Sequence, residues 1–129
     1  MTYFDERTPG KGAMSVVPAG DLPRVTLTEG ITAKPIIGDR VHLQEVVLDP
    51  GAVAPVHVHD EEQIGYIVSG ACDFTDGTAT WTLGPGDCYS APPGSPHGAT
   101  AHGEGCVIVD VFSPPREQVV RMLAERPGQ

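Results

Sequence analysis

Apolar residues along this chain fall in short runs that alternate with polar ones, and glycine or proline closes nearly every run. Alternation with a period of two is the mark of β-strands with one buried face. The segments "SVVPAG" and "RVTLTEG" predict two short strands ending in turns. "RVHLQEVVLDPG" predicts a strand of about eight residues, closed by Asp49, Pro50 and Gly51. "AVAPVHVHD" is extended, and Pro55 within it argues for a sheet edge or a strand start, because proline cannot donate to a ladder. "QIGYIVSG" predicts a strand ending at Gly70. In "ACDFTDGTATWTLGPGD" the pair Asp76-Gly77 predicts a hairpin turn. "CYSAPPGSPHGAT" is a strand running into a rigid proline loop, and "GCVIVDVFSPP" is a last strand. The one helix is expected in "PREQVVRMLAER", with Pro114 and Pro115 in its first turn and Val119, Val120 and Leu123 on its apolar face.

Composition sharpens this into an all-β sandwich or barrel. With 16 glycines and 13 prolines in 129 residues, short β-favouring runs are separated by turns throughout. The length suits one domain, expected over residues 14–129 behind a loose or partner-docked arm at 1–13. No apolar run is long enough to span a bilayer, and the charged first residues do not resemble a signal peptide. Three cysteines without CxxC spacing, Cys72, Cys88 and Cys106, fit a reducing cytoplasm and small, semi-buried apolar roles. With Lys and Arg numbering 8 against 17 Asp and Glu, the net charge is −9, which disfavours nucleic acid and anionic membranes. Any anionic substrate must meet a local cation, and Lys34, Arg40 and Arg116 are the candidates.

One stretch asks for chemistry. In "PVHVHDEEQIGYIVSG", His57 and His59 share a strand face if the strand is regular, and Gln63 can join them after a short turn. Two unpartnered imidazoles on a buried face would cost on the order of a few kcal/mol each, and a divalent cation satisfies both lone pairs. The plainer alternative is an exposed histidine pair in a polar loop. Further on, the rigid Pro-Pro-Gly-x-Pro turn of "GDCYSAPPGSPHG" fixes where His97 points, so that it can complete the same site.

These residues resemble the two motifs of the cupins. Gly51, His57, His59, Gln63 and Gly70 match the first motif in spacing, and Gly86, Pro92, Gly94 and His97 match the second. The resemblance covers about residues 40–112. It implies a double-stranded β-helix (jelly-roll) barrel with a short C-terminal helix, and one divalent metal ion held by His57, His59, Gln63 and His97. The residue types admit Zn, Ni, Mn, Fe or Co. Two positions depart from the general pattern: Gln63 stands where glutamate is usual, and Ala101 where asparagine often ends the second motif. "EEQIGY" resembles a subgroup in which glutamine coordinates the metal. A neutral donor set leaves the full +2 charge on the cation, which favours Lewis-acid work on anionic oxygens.

The segment "DVFSPPRE" resembles the small pectin-degradation cupins, which open the ring of unsaturated uronates. That resemblance implies Asp110 as general acid/base, Phe112 as an apolar wall, and Arg116 as a clamp on a substrate carboxylate. Without it, Phe112 fills the barrel, Asp110 caps a loop, and Arg116 pairs with Glu117 or another surface acid. His42 is a further candidate to touch substrate, against a surface or hydrogen-bonded role. His102 is expected in a solvated loop, the run Asp60, Glu61, Glu62 in a solvated turn, and Trp81, Tyr66 and Tyr89 as core or interface aromatics, with Tyr66 facing away from the metal. The expected activity is non-oxidative: ring opening, isomerisation, dehydration or cyclisation of a small, oxygen-rich, carboxylate-bearing substrate. Alternatives are a polyketide cyclase-like cupin, an iron-dependent dioxygenase and a non-catalytic small-molecule binding cupin. The resemblance also implies a homodimer.

Overall fold

The computed structural model describes residues 3, 4 and 7–126. Among the described residues, eight strands and one α-helix follow in order: β1 (Val25–Thr28), β2 (Ile31–Ile37), β3 (His42–Leu48), β4 (Val53–His57), β5 (Glu62–Thr75), β6 (Thr80–Leu83), β7 (Cys88–Ala91), β8 (His97–Ser113) and α1 (Glu117–Ala124). All pairings are antiparallel, in the order β1-β2-β3-β8-β5-β6, with β4 on β8 and β7 on β5.

Two long strands build the barrel. The second half of β8 pairs with β3 and its first half with β4, while β5 runs along its other side. β5 is therefore longer than expected and passes through Gly70 rather than stopping there. Gly70 has φ +72°, and the β5–β8 register slips beside it, so the strand carries a bulge where a terminus was expected. The slip changes which side chains face inward: Gln63, Gly65 and Ile67 before it, Cys72 and Phe74 after it. This bend lets one strand serve both walls.

β2 is absent from the expected elements because Pro35 interrupts its pattern. β1 pairs only with residues 31–33, so at Pro35 the strand is an edge on that side and no ladder bond is lost. The strand expected in "SVVPAG" does not form. Residues 15–18 are exposed without regular structure, and Ala19–Asp21 make a 3-10 turn. β-favouring side chains without a partner strand have nothing to pack against. Of the expected arm, residues 7–13 are exposed and irregular, and residues 1, 2, 5 and 6 lie outside the described residues. Pro55 lies in β4, which pairs on one side only, as an edge proline requires. The hairpin at Asp76-Gly77 joins β5 to β6.

The apolar floor combines Val25, Ile31, Ala33, Val46, Leu48, Ile67, Cys72, Phe74, Ala99, Ala101, Cys106 and Ile108. Cys72 and Cys106 are buried free thiols as expected, whereas Cys88 is exposed on the outer face of β7. The helix begins after both prolines, at Glu117, and buries Val119 with Met122 and Leu123 packed on the core. Val120 is exposed, because spacing of three and four from Val119 selects positions 122 and 123 for the inner face.

Candidate metal centre and its cavity

Cross-strand register assembles the site. His57 at the end of β4 lies directly opposite His97 at the start of β8. His59 follows just beyond β4, where Gly94 N–H donates to its carbonyl at 2.9 Å, tying it to the proline loop. The potential ligand atoms of His57, His59 and His97 all lie within 4.8 Å of one another.

Gln63 closes the group. Its Oε1 is 2.9 Å from His59 Nε2 and 3.1 Å from His97 Nε2. The amide is oriented from behind, since Nε2 donates to the Tyr89 hydroxyl at 2.7 Å, and that hydroxyl donates to Asp110 Oδ1. Glu62, one residue earlier, faces outward.

The donor set suits a divalent cation. His57 Nδ1 is 2.8 Å from the Pro55 carbonyl and His97 Nδ1 is 3.0 Å from the Ser95 carbonyl, so both nitrogens donate and leave the lone pairs on Nε2. Burial lowers the pKa of His59 and His97, which favours the neutral, ligating form. The His97 Nε2 lone pair then faces the Gln63 carbonyl oxygen, two acceptors with no proton between them. A cation placed among them resolves that opposition.

A second row of the sheet carries the carboxyl. Tyr89, Gly65, Asp110 and Gln44 are aligned across β7, β5, β8 and β3. Because Gly65 has no side chain, Tyr89 meets Asp110 across it; a Cβ there would collide with the Tyr89 ring and lie 2.7 Å from Asp110 Oδ1. Burial pushes the Asp110 carboxyl up to about 6, against the opposing effect of its hydrogen bond from Tyr89. Burial and the neighbouring Asp110 charge raise the Tyr89 pKa, which keeps the phenol protonated.

The cavity is about 380 Å³ and is lined by the three histidines, Gln63, Tyr89, Asp110, Phe112 and Arg116, by part of the apolar floor, and by Gln118, Val119 and Met122 of α1. Arg116 is the one of the three candidate cations that reaches it. Its guanidinium is 3.4 Å from Glu61 Oε1 and 3.3 Å from Gln118 Oε1.

Several expected roles need correction. His42 takes the hydrogen-bonded role and not the substrate contact: it is fully buried and outside the cavity lining, Nε2 pairs with Gln44 Oε1 at 2.9 Å, and Nδ1 accepts from Arg116 N–H at 3.2 Å. It packs behind Phe112, with ring centroids 4.9 Å apart, because β3 places it next to Phe112 in register. Glu61 is not in a solvated turn but is 9% exposed. His102 sits within β8 rather than a loop and pairs with Asp73 at 2.8 Å. Tyr66 faces outward as expected, and Trp81 is half-exposed. Tyr89, expected only as a core or interface aromatic, and Gln44 both line the cavity. Tyr89 shares parity with buried Ala91 on β7, a signal readable once β7 is placed against β5.

A family model described as the cupin domain matches residues 44–112. The chain is 33% identical over 98 residues to the pectin degradation protein KdgF of Dickeya dadantii (strain 3937), covering 74% of this chain and 89% of that protein. The structure of KdgF from Halomonas sp. is similar with a TM-score of 0.75 and 31% identity, covering 81% of this chain and 99% of that one. The polyketide cyclase RemF from Streptomyces resistomycificus has a TM-score of 0.70 at 24% identity, covering 81% of each chain, and is alike in fold.

Proposed function

Because the chain belongs to the cupin domain family, as a small cupin of the pectin-degradation type, we propose that it is a metal-dependent enzyme that opens or isomerises an unsaturated uronate or a closely similar small carboxylate without oxidising it. The observation that carries this is the placement of a buried carboxyl, Asp110, in one cavity with three converging histidines and a guanidinium.

His57, His59, Gln63 and His97 would hold the cation, which supplies Lewis-acid polarisation of a substrate oxygen when bound. Arg116 binds the substrate carboxylate at the mouth, where its planar fork suits two oxygens. Phe112 and the α1 side chains Val119 and Met122 exclude water from one wall. Asp110 holds or releases a proton at its carboxyl oxygens, and Tyr89 keeps that carboxyl aimed by donating to Oδ1. Tautomerisation of an enol and ring opening both need one proton removed and one delivered, which a single carboxyl near its own pKa performs.

The test uses an unsaturated uronate monosaccharide released by a pectin lyase. Incubation should abolish the ultraviolet absorbance of its conjugated carboxylate equally with and without dioxygen. Asp110→Asn should retain metal content and lose about 10²–10⁴-fold in kcat. Consumption that requires dioxygen, or full turnover by the metal-loaded variant, overturns the assignment.

A further inference from the structure

Among the three histidines, His59 is held differently. The Nδ1 atoms of His57 and His97 donate to backbone carbonyls, which are fixed and uncharged. His59 Nδ1 is buried and outside hydrogen-bonding geometry, with Glu61 Oε1 3.3 Å away. The same carboxylate oxygen is 3.4 Å from the Arg116 guanidinium. Glu61 lines the polar cleft outside the barrel mouth and not the cavity, so it stands behind the His59 ring, on the side away from the converging Nε2 atoms.

We infer that Glu61 is a positioning residue that orients His59 toward the cation and anchors Arg116 above the cavity, so that one carboxylate serves both the metal centre and the carboxylate clamp. This role presupposes the metal centre proposed above. The four donors His57, His59, His97 and Gln63 are neutral, so the negative charge absent from the donor set stands one imidazole behind it. A carboxylate against Nδ1–H fixes the tautomer with the lone pair on Nε2 and raises the basicity of that nitrogen. Burial to 9% exposure keeps the carboxylate from being screened. Arg116 limits the effect, since its charge opposes that of Glu61 at the same oxygen.

The test is the dissociation constant for Zn²⁺ alone, by competition with a chromophoric chelator, on the full chain and its variants, alongside the thermal midpoint of each metal-free protein. Glu61→Gln should weaken zinc binding about 10-fold or more, with Glu61→Asp intermediate. Arg116→Gln, which leaves the carboxylate to His59 alone, should bind zinc as tightly as the wild type or more tightly. A Glu61→Gln protein that binds zinc with wild-type affinity overturns the inference, even if its midpoint falls, since that is what a mere ion pair with Arg116 predicts. If Glu61→Gln does not fold, Glu61→Asp decides: weakened binding supports the role and unchanged binding ends it. A wild-type chain that binds no zinc or other divalent cation overturns the metal centre and this role together.

Discussion

At the scale of single residues, the buried carboxyl of Asp110 costs stability. Its ordinary pKa is 3.8 and the folded value is about 6. Between these two pH values the unfolded chain releases the proton while the folded protein keeps it, so stability falls as pH rises through that window and is constant above it. The loss is on the order of 3 kcal/mol, roughly two units at about 1.4 kcal/mol each. Metal-free Asp110→Asn should therefore melt higher than metal-free wild type at pH 7.5 and close to it at pH 4, as read by circular dichroism. Equal midpoints at both pH values would remove the buried-charge account. Arg116, in contrast, is proposed as a binding group. Its replacement by Gln removes a charged hydrogen bond worth about 1.5–3 kcal/mol, so KM for the carboxylate substrate should rise about 10- to 100-fold while kcat changes less. His57, His59, Gln63 and His97 were legible as a group because their spacing is local to two short motifs. Glu61 and Tyr89 were not. Glu61 lies off the strand, where alternation gives no facing rule, and Tyr89 reaches Asp110 only across a glycine on a third strand.

Among elements, β5 is the one whose course decides the barrel. Gly70 adopts φ +72°, and a Cβ there would collide with the Gly105 carbonyl oxygen across the bulge. Alanine in that backbone region costs about 1–2 kcal/mol before the collision is counted. Gly70→Ala should lower the urea midpoint by more than that figure alone accounts for, because the two strands must separate locally to admit the methyl. The strand pattern marked Gly70 as a stop for the same reason that it is a bulge: both need a residue free to take positive φ. Only pairing with β8 on both sides of the slip distinguishes them. α1 gives the reverse lesson, since its existence was evident in sequence while its inner face, Val119, Met122 and Leu123, was set by the core it covers.

For the whole molecule, a metal centre that draws His57 and His97 from paired strands and Gln63 from β5 ties both walls of the barrel together. A cation that binds only the folded form stabilises it by mass action, about 2.7 kcal/mol at a free concentration 100 times the dissociation constant. Adding a divalent ion to chelator-treated protein should raise the thermal midpoint in proportion to the logarithm of ion concentration. In the variant His57→Ala/His97→Ala the rise should disappear. A wild-type midpoint indifferent to every divalent ion tested would contradict the proposed centre.

Local information determined the β-class, most strand positions, the hairpin at Asp76-Gly77 and the helix. Each of these depends on residues within one or two turns of chain, where alternation, glycine freedom and proline rigidity act directly, whereas the full set of metal-ligand candidates came from the resemblance of two separate motifs to the cupins. Tertiary structure alone decided that β5 continues through Gly70, that His42 packs behind Phe112 instead of lining the cavity, and that Glu61 is buried between His59 and Arg116. These depend on which strands become neighbours, and burial and contact are properties of that neighbourhood, which no short stretch of the chain contains.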